Sequence, residues 1–127
     1  MLSLQLSHKE YLMAIFTISK TKKGGWVSNS DISELMRVKP ASVTGMLQKL
    51  NKQNLVIWKP RKKVRLTDKG KLIIRKIIKT RNQLKKFFIK HLSLKDESTL
   101  DMLCLKIEHY ITNDILDALN IVLKGDY

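Results

Sequence analysis

The chain has 127 residues, enough for one modest domain or two small lobes, and a high formal net charge of +14. Its hydrophobic fraction of 43% and its few glycines and prolines fit a globular, helix-rich protein rather than a disordered one. No run approaches about 18 consecutive apolar residues, so no transmembrane helix and no membrane partner are expected. Cys104 is the single cysteine and the N-terminus lacks a signal-peptide pattern, so a disulfide framework is excluded and a cytoplasmic protein is expected.

Two helices are predicted in the first part of the chain, over residues 7–21 and 29–37, where apolar residues recur at helical spacing. Ser7 followed three residues later by Glu10 forms a capping-box pattern at the start of the first helix. The segment KKGGWV ends that helix. The second helix begins with a similar pattern, since Ser28 precedes an acidic residue by three positions.

A third helix is predicted to begin at Pro40, because proline suits the first turn of a helix, where its missing N–H costs nothing. One face of this helix is an apolar stripe, which consists of Val43, Met46, Leu47 and Leu50. The opposite face is small, polar and uncharged apart from one lysine, and it consists of Ala41, Ser42, Thr44, Gly45, Gln48 and Lys49. A surface helix that makes no contact usually carries Glu and Lys there, so this composition favours a contact surface.

The rest of the chain is predicted to form a hairpin and three further helices. Two β-prone runs, residues 55–58 and 64–67, flank the turn-like KPRKK. The helices follow over residues 68–90, 96–110 and 113–123. The predicted fold is mostly α with a small β-hairpin wing. It comprises a winged helix-turn-helix DNA-binding domain over residues 1–70 and a helical dimerisation domain over residues 71–127.

In a winged helix-turn-helix, each element has a distinct role in binding DNA. The second helix of a helix-turn-helix enters the major groove, and a small polar face lets it approach base edges closely. A basic wing holds phosphates and can enter the minor groove. The predicted DNA contacts are Lys39, Ala41, Ser42, Thr44, Gly45, Gln48 and Lys49 in the helix, and Lys59, Arg61, Lys62, Lys63 and Arg65 in the wing.

The charge distribution also indicates a polyanionic partner. Residues 1–90 contain 22 Lys/Arg and 4 Asp/Glu, a net charge of +18, whereas residues 91–127 carry a net charge of −4. A lysine-rich composition alone, or a helical domain with no DNA role, are the alternatives to this reading. No nucleophile–base arrangement or phosphate loop is recognisable, so the protein is not expected to be an enzyme.

From Leu6 onward the chain resembles the iron- and manganese-dependent repressor family, the type of the diphtheria toxin repressor and the manganese transport regulators. The segments that carry the resemblance are HKEYLMAIF, VSNSDISELMRVKPASVTGMLQKL, LVIWKPRKKVRLTDKGKLI and KIEHYITNDILDAL. The resemblance implies a homodimeric transcriptional repressor that binds double-stranded DNA and lacks the additional C-terminal domain of longer members.

The apolar content of the last two helices favours a homodimer independently of the resemblance. They carry Leu100, Leu103, Leu105, Ile107, Ile111, Ile115, Leu116, Leu119, Val122 and Leu123. That is more apolar surface than two short helices need against one long one, although a purely monomeric core is the alternative. A dimer would place two recognition helices about 34 Å apart and predicts a palindromic operator.

The resemblance implies metal ligands that this chain keeps only in part. Suitable chemistry remains at Glu10, Glu108 and His109. The other three ligand positions hold Met13, Arg81 and Leu105. A permanent guanidinium charge repels a nearby divalent cation, and leucine cannot bind one. By the same resemblance, the second metal site of the iron-type members falls on Arg81, Lys85 and Asp101.

These replacements predict a regulator that is metal-independent or has an altered metal response, with no cofactor expected. The guanidinium of Arg81 is predicted to substitute for the metal by bridging Glu10 and Glu108. A Zn²⁺ site at Glu10, Glu108 and His109, or a response to Mn²⁺ or Fe²⁺, are the alternatives. A weakly specific DNA-coating protein is the alternative from a different class. Cys104 is expected to be a core thiol rather than a redox sensor.

Overall fold

The computed structural model describes residues 4–58 and 63–125 of the chain. Within these residues it contains six α-helices and one antiparallel hairpin, in the order predicted from the sequence. The elements are α1 (Leu6–Ser19), α2 (Asn29–Met36), α3 (Pro40–Lys52), β1 (Val56–Trp58), β2 (Val64–Leu66), α4 (Asp68–Leu92), α5 (Glu97–Glu108) and α6 (Asn113–Lys124). The prediction of a mostly helical fold with a winged helix-turn-helix is confirmed.

The chain divides into two compact units, Met1–Ile74 and Arg75–Tyr127, and α4 runs from the first into the second. The first unit contains α1, α2, α3, the hairpin and the start of α4. Its core consists of apolar side chains with almost no exposed surface, which are Leu12, Ile15, Val27, Ile32, Val43, Leu47, Leu50, Leu55, Val56, Val64 and Ile74. The apolar stripe predicted for α3 is therefore the face that this helix packs against the core.

The start of α1 differs from the capping box predicted from the sequence. The N-cap is Gln5, which makes no side-chain hydrogen bond to the helix, and α1 begins at Leu6. Ser7 therefore already lies inside the first turn, where its hydroxyl cannot cap the helix together with Glu10. The predicted capping box is wrong, and only the position of the helix is confirmed.

The hairpin is joined to the loop before α2. Val56 pairs with Leu66 and Trp58 with Val64, and Val27 also exchanges two backbone hydrogen bonds of 2.8 Å with Val64. A tight turn at Lys23–Gly25 leads into this isolated pairing of Val27 with Val64. Its two glycines have φ angles of 69° and 74°, a left-handed backbone that side-chain-bearing residues rarely adopt. Strand β2 is thus paired on both sides at Val64, with Trp58 on one side and Val27 on the other.

The second unit contains the rest of α4 together with α5 and α6. Leu84, Cys104 and Leu119, one from each helix, form its buried cluster, with partly buried Phe87, Phe88, Ile107, Ile111 and Leu123 packed around them. Asp96 caps α5 and Thr112 caps α6, each by accepting a hydrogen bond from a backbone N–H three residues on. In the described ranges, no helix combines the length and apolarity that crossing a membrane requires.

Candidate nucleic-acid interface

The helix-turn-helix is held by local hydrogen bonds at both ends of α2. Ser28 and Asp31 form a complete capping box, because Asp31 N–H donates to the Ser28 hydroxyl at 3.0 Å and Ser28 N–H donates to the Asp31 carboxylate at 3.1 Å. Hydrogen bonding to the Asp31 carboxylate by the Ser28 backbone N–H, and then by the Ser28 side chain, lowers the pKa of Asp31. At the other end Arg37 takes a left-handed φ of 56°, and Ser33 donates its hydroxyl proton to Val38 O. The turn into α3 is therefore short and fixed.

The structure leaves the small polar face of α3 accessible. Lys39, Ala41, Ser42, Gln48 and Lys49 are exposed, and Thr44 and Gly45 are half-buried. Pro40 occupies the first helical turn, and Lys39, at the N-cap, makes no side-chain capping bond. The residues predicted to contact DNA from this helix thus lie on the side away from the core, with Ser42 and Gln48 supplying exposed neutral hydrogen-bonding groups.

Asn29 joins α2 to this face of α3. Its side-chain amide donates to the Thr44 hydroxyl at 3.0 Å, and that hydroxyl donates to Pro40 O at 3.2 Å. The Thr44 hydroxyl is therefore bonded within the chain, and through Asn29 it is joined to the neighbouring helix. Sequence reasoning missed Asn29, because an asparagine at the start of a helix shows no sign of a partner 15 residues away.

The described part of the wing contains one exposed cation and one packed cation. Lys63 is exposed, whereas Arg65 is half-buried and places its guanidinium 4.6 Å from the centroid of the Trp26 ring. This stack was not predicted, because Trp26 lies 39 positions earlier. Lys59, Arg61 and Lys62, which the sequence also placed among the DNA contacts, lie outside the described residues.

The metal-ligand positions implied by the resemblance do not form a fitting site within either unit. In the first unit Glu10 is half-buried beside Met13, which is packed into the core. In the second unit the Nε of Arg81 is buried without a hydrogen-bond partner, and so is the Nδ1 of His109. Within each unit's described residues, no three His, Cys, Asp or Glu side chains come together as a metal would require. Neither unit by itself therefore holds the manganese-type ligand set among its described residues.

An ion pair stands at the positions to which the resemblance assigns a second metal. Lys85 Nζ lies 3.0 Å from Asp101 Oδ1, which ties α4 directly to α5. Beside this pair Cys104 is fully buried, and burial raises the pKa of its thiol. A thiol that is buried and protonated reacts poorly, in agreement with the expected core thiol.

Apolar side chains remain exposed on α5 and α6. Met102, Leu103, Ile115 and Ile121 have between 40% and 63% of their surface exposed, and Tyr110, just after α5, has 75%. The buried residues of the same helices are Leu100, Cys104 and Leu119. The core of a single chain therefore uses only part of the apolar content that the sequence places in this region.

Comparison with known proteins identifies the family. Residues 3–64 match the model of the iron dependent repressor N-terminal DNA binding domain. The HTH-type transcriptional regulator MntR of Bacillus pumilus is 31% identical over 113 residues, which are 89% of this chain and 76% of that protein. The chain belongs to the metal-dependent repressor family. Members of this family are DNA-binding transcriptional regulators and not enzymes. The resemblance to this family and the expectation that the protein is not an enzyme are therefore confirmed.

Two further known proteins are similar to this chain in sequence or in fold. An HTH-type transcriptional regulator of Methanocaldococcus jannaschii is 28% identical over 118 residues, or 93% of each chain. The structure of the manganese regulator SloR superposes with a TM-score of 0.74 at 23% identity, over 92% of this chain and 53% of that one. The chain thus spans about half the length of that solved relative, and at this identity the likeness shows the fold alone.

Proposed function

We propose that the protein is a homodimeric, sequence-specific DNA-binding repressor that acts in the cytoplasm and inserts α3 into the major groove. The accessible face of α3 carries the proposal, because it combines small residues with the neutral hydrogen-bonding groups of Ser42 and Gln48. The bond from Asn29 to Thr44 supports it further, since it holds this face at a fixed position on the first unit. Lys49 and Lys63 are exposed cations suited to phosphate contacts.

The competing function is a weakly specific protein that coats DNA. It is favoured by the net charge of +18 over residues 1–90, which either function could use. A salt titration against a duplex selected from a random library, and against its scrambled version, separates the two. A repressor keeps a large affinity ratio between these duplexes as salt rises, whereas a coating protein shows no preference at any salt concentration.

Gln48→Ala and Lys63→Ala are expected to act differently on DNA binding. Loss of the Gln48 amide should lower the affinity ratio between the selected and scrambled duplexes by roughly fivefold to a hundredfold, the range for one base-reading contact. Lys63→Ala should weaken both duplexes alike and reduce the slope of log affinity against log salt by about 1. Fluorescence anisotropy titrations measure both quantities. An unchanged ratio in Gln48→Ala would show that this residue does not read bases.

The proposed homodimer rests on the exposed apolar side chains of α5 and α6, since a second copy would cover surface that one chain leaves in water. Two copies related by a twofold axis present two α3 helices, which suits a palindromic operator with half-sites about 34 Å apart. The bivalent contact would supply affinity that one small reading helix lacks.

We further propose that DNA binding is independent of metal or responds to metal differently from the manganese-responsive members. The support is chemical, because Met13, Arg81 and Leu105 occupy three ligand positions implied by the resemblance. The ion pair between Lys85 and Asp101 joins α4 to α5 without a metal ion. The bridge from Arg81 to Glu10 and Glu108 remains part of this proposal. A Zn²⁺ response through Glu10, Glu108 and His109 is the alternative.

A further inference from the structure

Gly45 lies in the interior of α3, at a position where the fold does not require glycine. A Cβ added at this position would meet no atom within 4 Å, and the backbone is an ordinary right-handed helix. Glycine weakens a helix relative to alanine, because it loses more conformational freedom on folding. Nothing inside the described chain therefore accounts for this glycine, and a group outside the chain can use the space instead.

The open space over Gly45, called the gap below, is bordered by residues of known chemistry. Ala41 and Ser42 lie one helical turn before it and Gln48 one turn after it, and all three are exposed. The N–H of Gly45 is committed to the helix, since α3 continues for more than a turn on both sides. The floor of the gap thus presents Cα hydrogens but no hydrogen-bond donor, which suits an apolar group rather than a phosphate.

We propose that the gap over Gly45 receives the 5-methyl group of a thymine in the major groove. That methyl is the apolar group which base pairs display there, and it is about the size of the missing Cβ. The side chain of Thr44, which precedes Gly45, cannot enter the gap, because its hydroxyl is bonded to Asn29 and Pro40 O. This inference rests on the proposed function and names the base at which α3 makes its closest approach.

Uracil substitution in the selected duplex tests the inference, because uracil differs from thymine only by that methyl group. For the wild-type chain, one thymine in each half-site should prove sensitive, with about a fourfold loss of affinity, the value for one buried methyl group. The Gly45→Ala variant should bind the thymine duplex roughly tenfold more weakly. It should then prefer uracil at the same position, because its Cβ fills the space that the methyl needs.

Two controls separate the causes of failure. Gly45→Ala should show an unchanged or higher Tm, so weaker binding cannot result from unfolding. Lys52→Ala, an exposed residue in the last turn of α3, should keep the wild-type sensitivity to uracil. Tolerance of uracil at every thymine, or an unchanged thymine preference in Gly45→Ala, overturns the inference while the proposed function stands. Failure to recover any preferred duplex from the library overturns both.

Discussion

Replacing Gly70 with alanine is expected to destabilise the first unit by about 3 kcal/mol, at the upper end of overpacking effects. Gly70 lies in the first turn of α4 against the strand end, and a Cβ built there would lie 2.2 Å from Leu55 O. That carbonyl accepts the Thr67 N–H at 3.1 Å, and Thr67 in turn caps α4 by accepting the Gly70 N–H at 3.0 Å. The backbone would have to shift and weaken this connection between Leu55, just before β1, and the start of α4.

Urea unfolding followed by tryptophan fluorescence measures this loss, because Trp26 and Trp58 both belong to the first unit. Gly45→Ala is the matched control, since it makes the same substitution in a helix where the new Cβ meets nothing. It should leave stability unchanged or raise it by about 0.5–1 kcal/mol. A loss below about 1 kcal/mol in Gly70→Ala would contradict the close approach of α4 to the Leu55 carbonyl.

The double substitution Met102→Glu with Ile121→Glu is expected to yield a monomer with roughly 100-fold lower affinity for the selected duplex. Both side chains are more than 60% exposed in the single chain, so the substitutions should leave its fold intact. In the proposed homodimer they would bury uncompensated carboxylates in an apolar contact, which costs far more than the contact yields.

Sedimentation velocity and DNA titration together test the proposed dimer surface. Leu72→Glu is the control, because Leu72 is 61% exposed but belongs to the first unit. It should remain a dimer at the concentration where the double variant is monomeric. If the double variant sediments with the wild-type chain, the exposed side chains of α5 and α6 do not form the homodimer contact.

The order of elements was predictable because its signals are local. The apolar stripe of α3, the start signals of α2 and the β-prone runs around KPRKK each lie within one short window, and the structure confirms all three elements. The capping box at Ser7 and Glu10 fails although its pattern is present in the sequence. The helix α1 begins one residue earlier, at Leu6, so Ser7 is already helical and the N-cap is Gln5.

The contacts that shape the candidate site were not predictable, because they join distant parts of the chain. Asn29 meets Thr44, Arg65 stacks on Trp26 and Gly70 approaches Leu55 only after the first unit has folded. The altered metal positions became visible through the family resemblance alone, since spacing gives no reason to compare Arg81 with Glu10. What spacing did predict was the accessible polar face of α3, because helical periodicity separates it from the buried stripe.

DNA binding by chelator-stripped protein is the most direct test of a sequence-specific regulator that needs no metal. We predict that the stripped protein binds the selected duplex much more tightly than its scrambled version. Adding micromolar Mn²⁺, Fe²⁺ or Zn²⁺ should then change that affinity by less than about twofold, because Met13, Arg81 and Leu105 leave too few ligands for a tight site. A rise of tenfold or more with any of these metals would contradict metal independence, and loss of the preference between duplexes would contradict the proposed function.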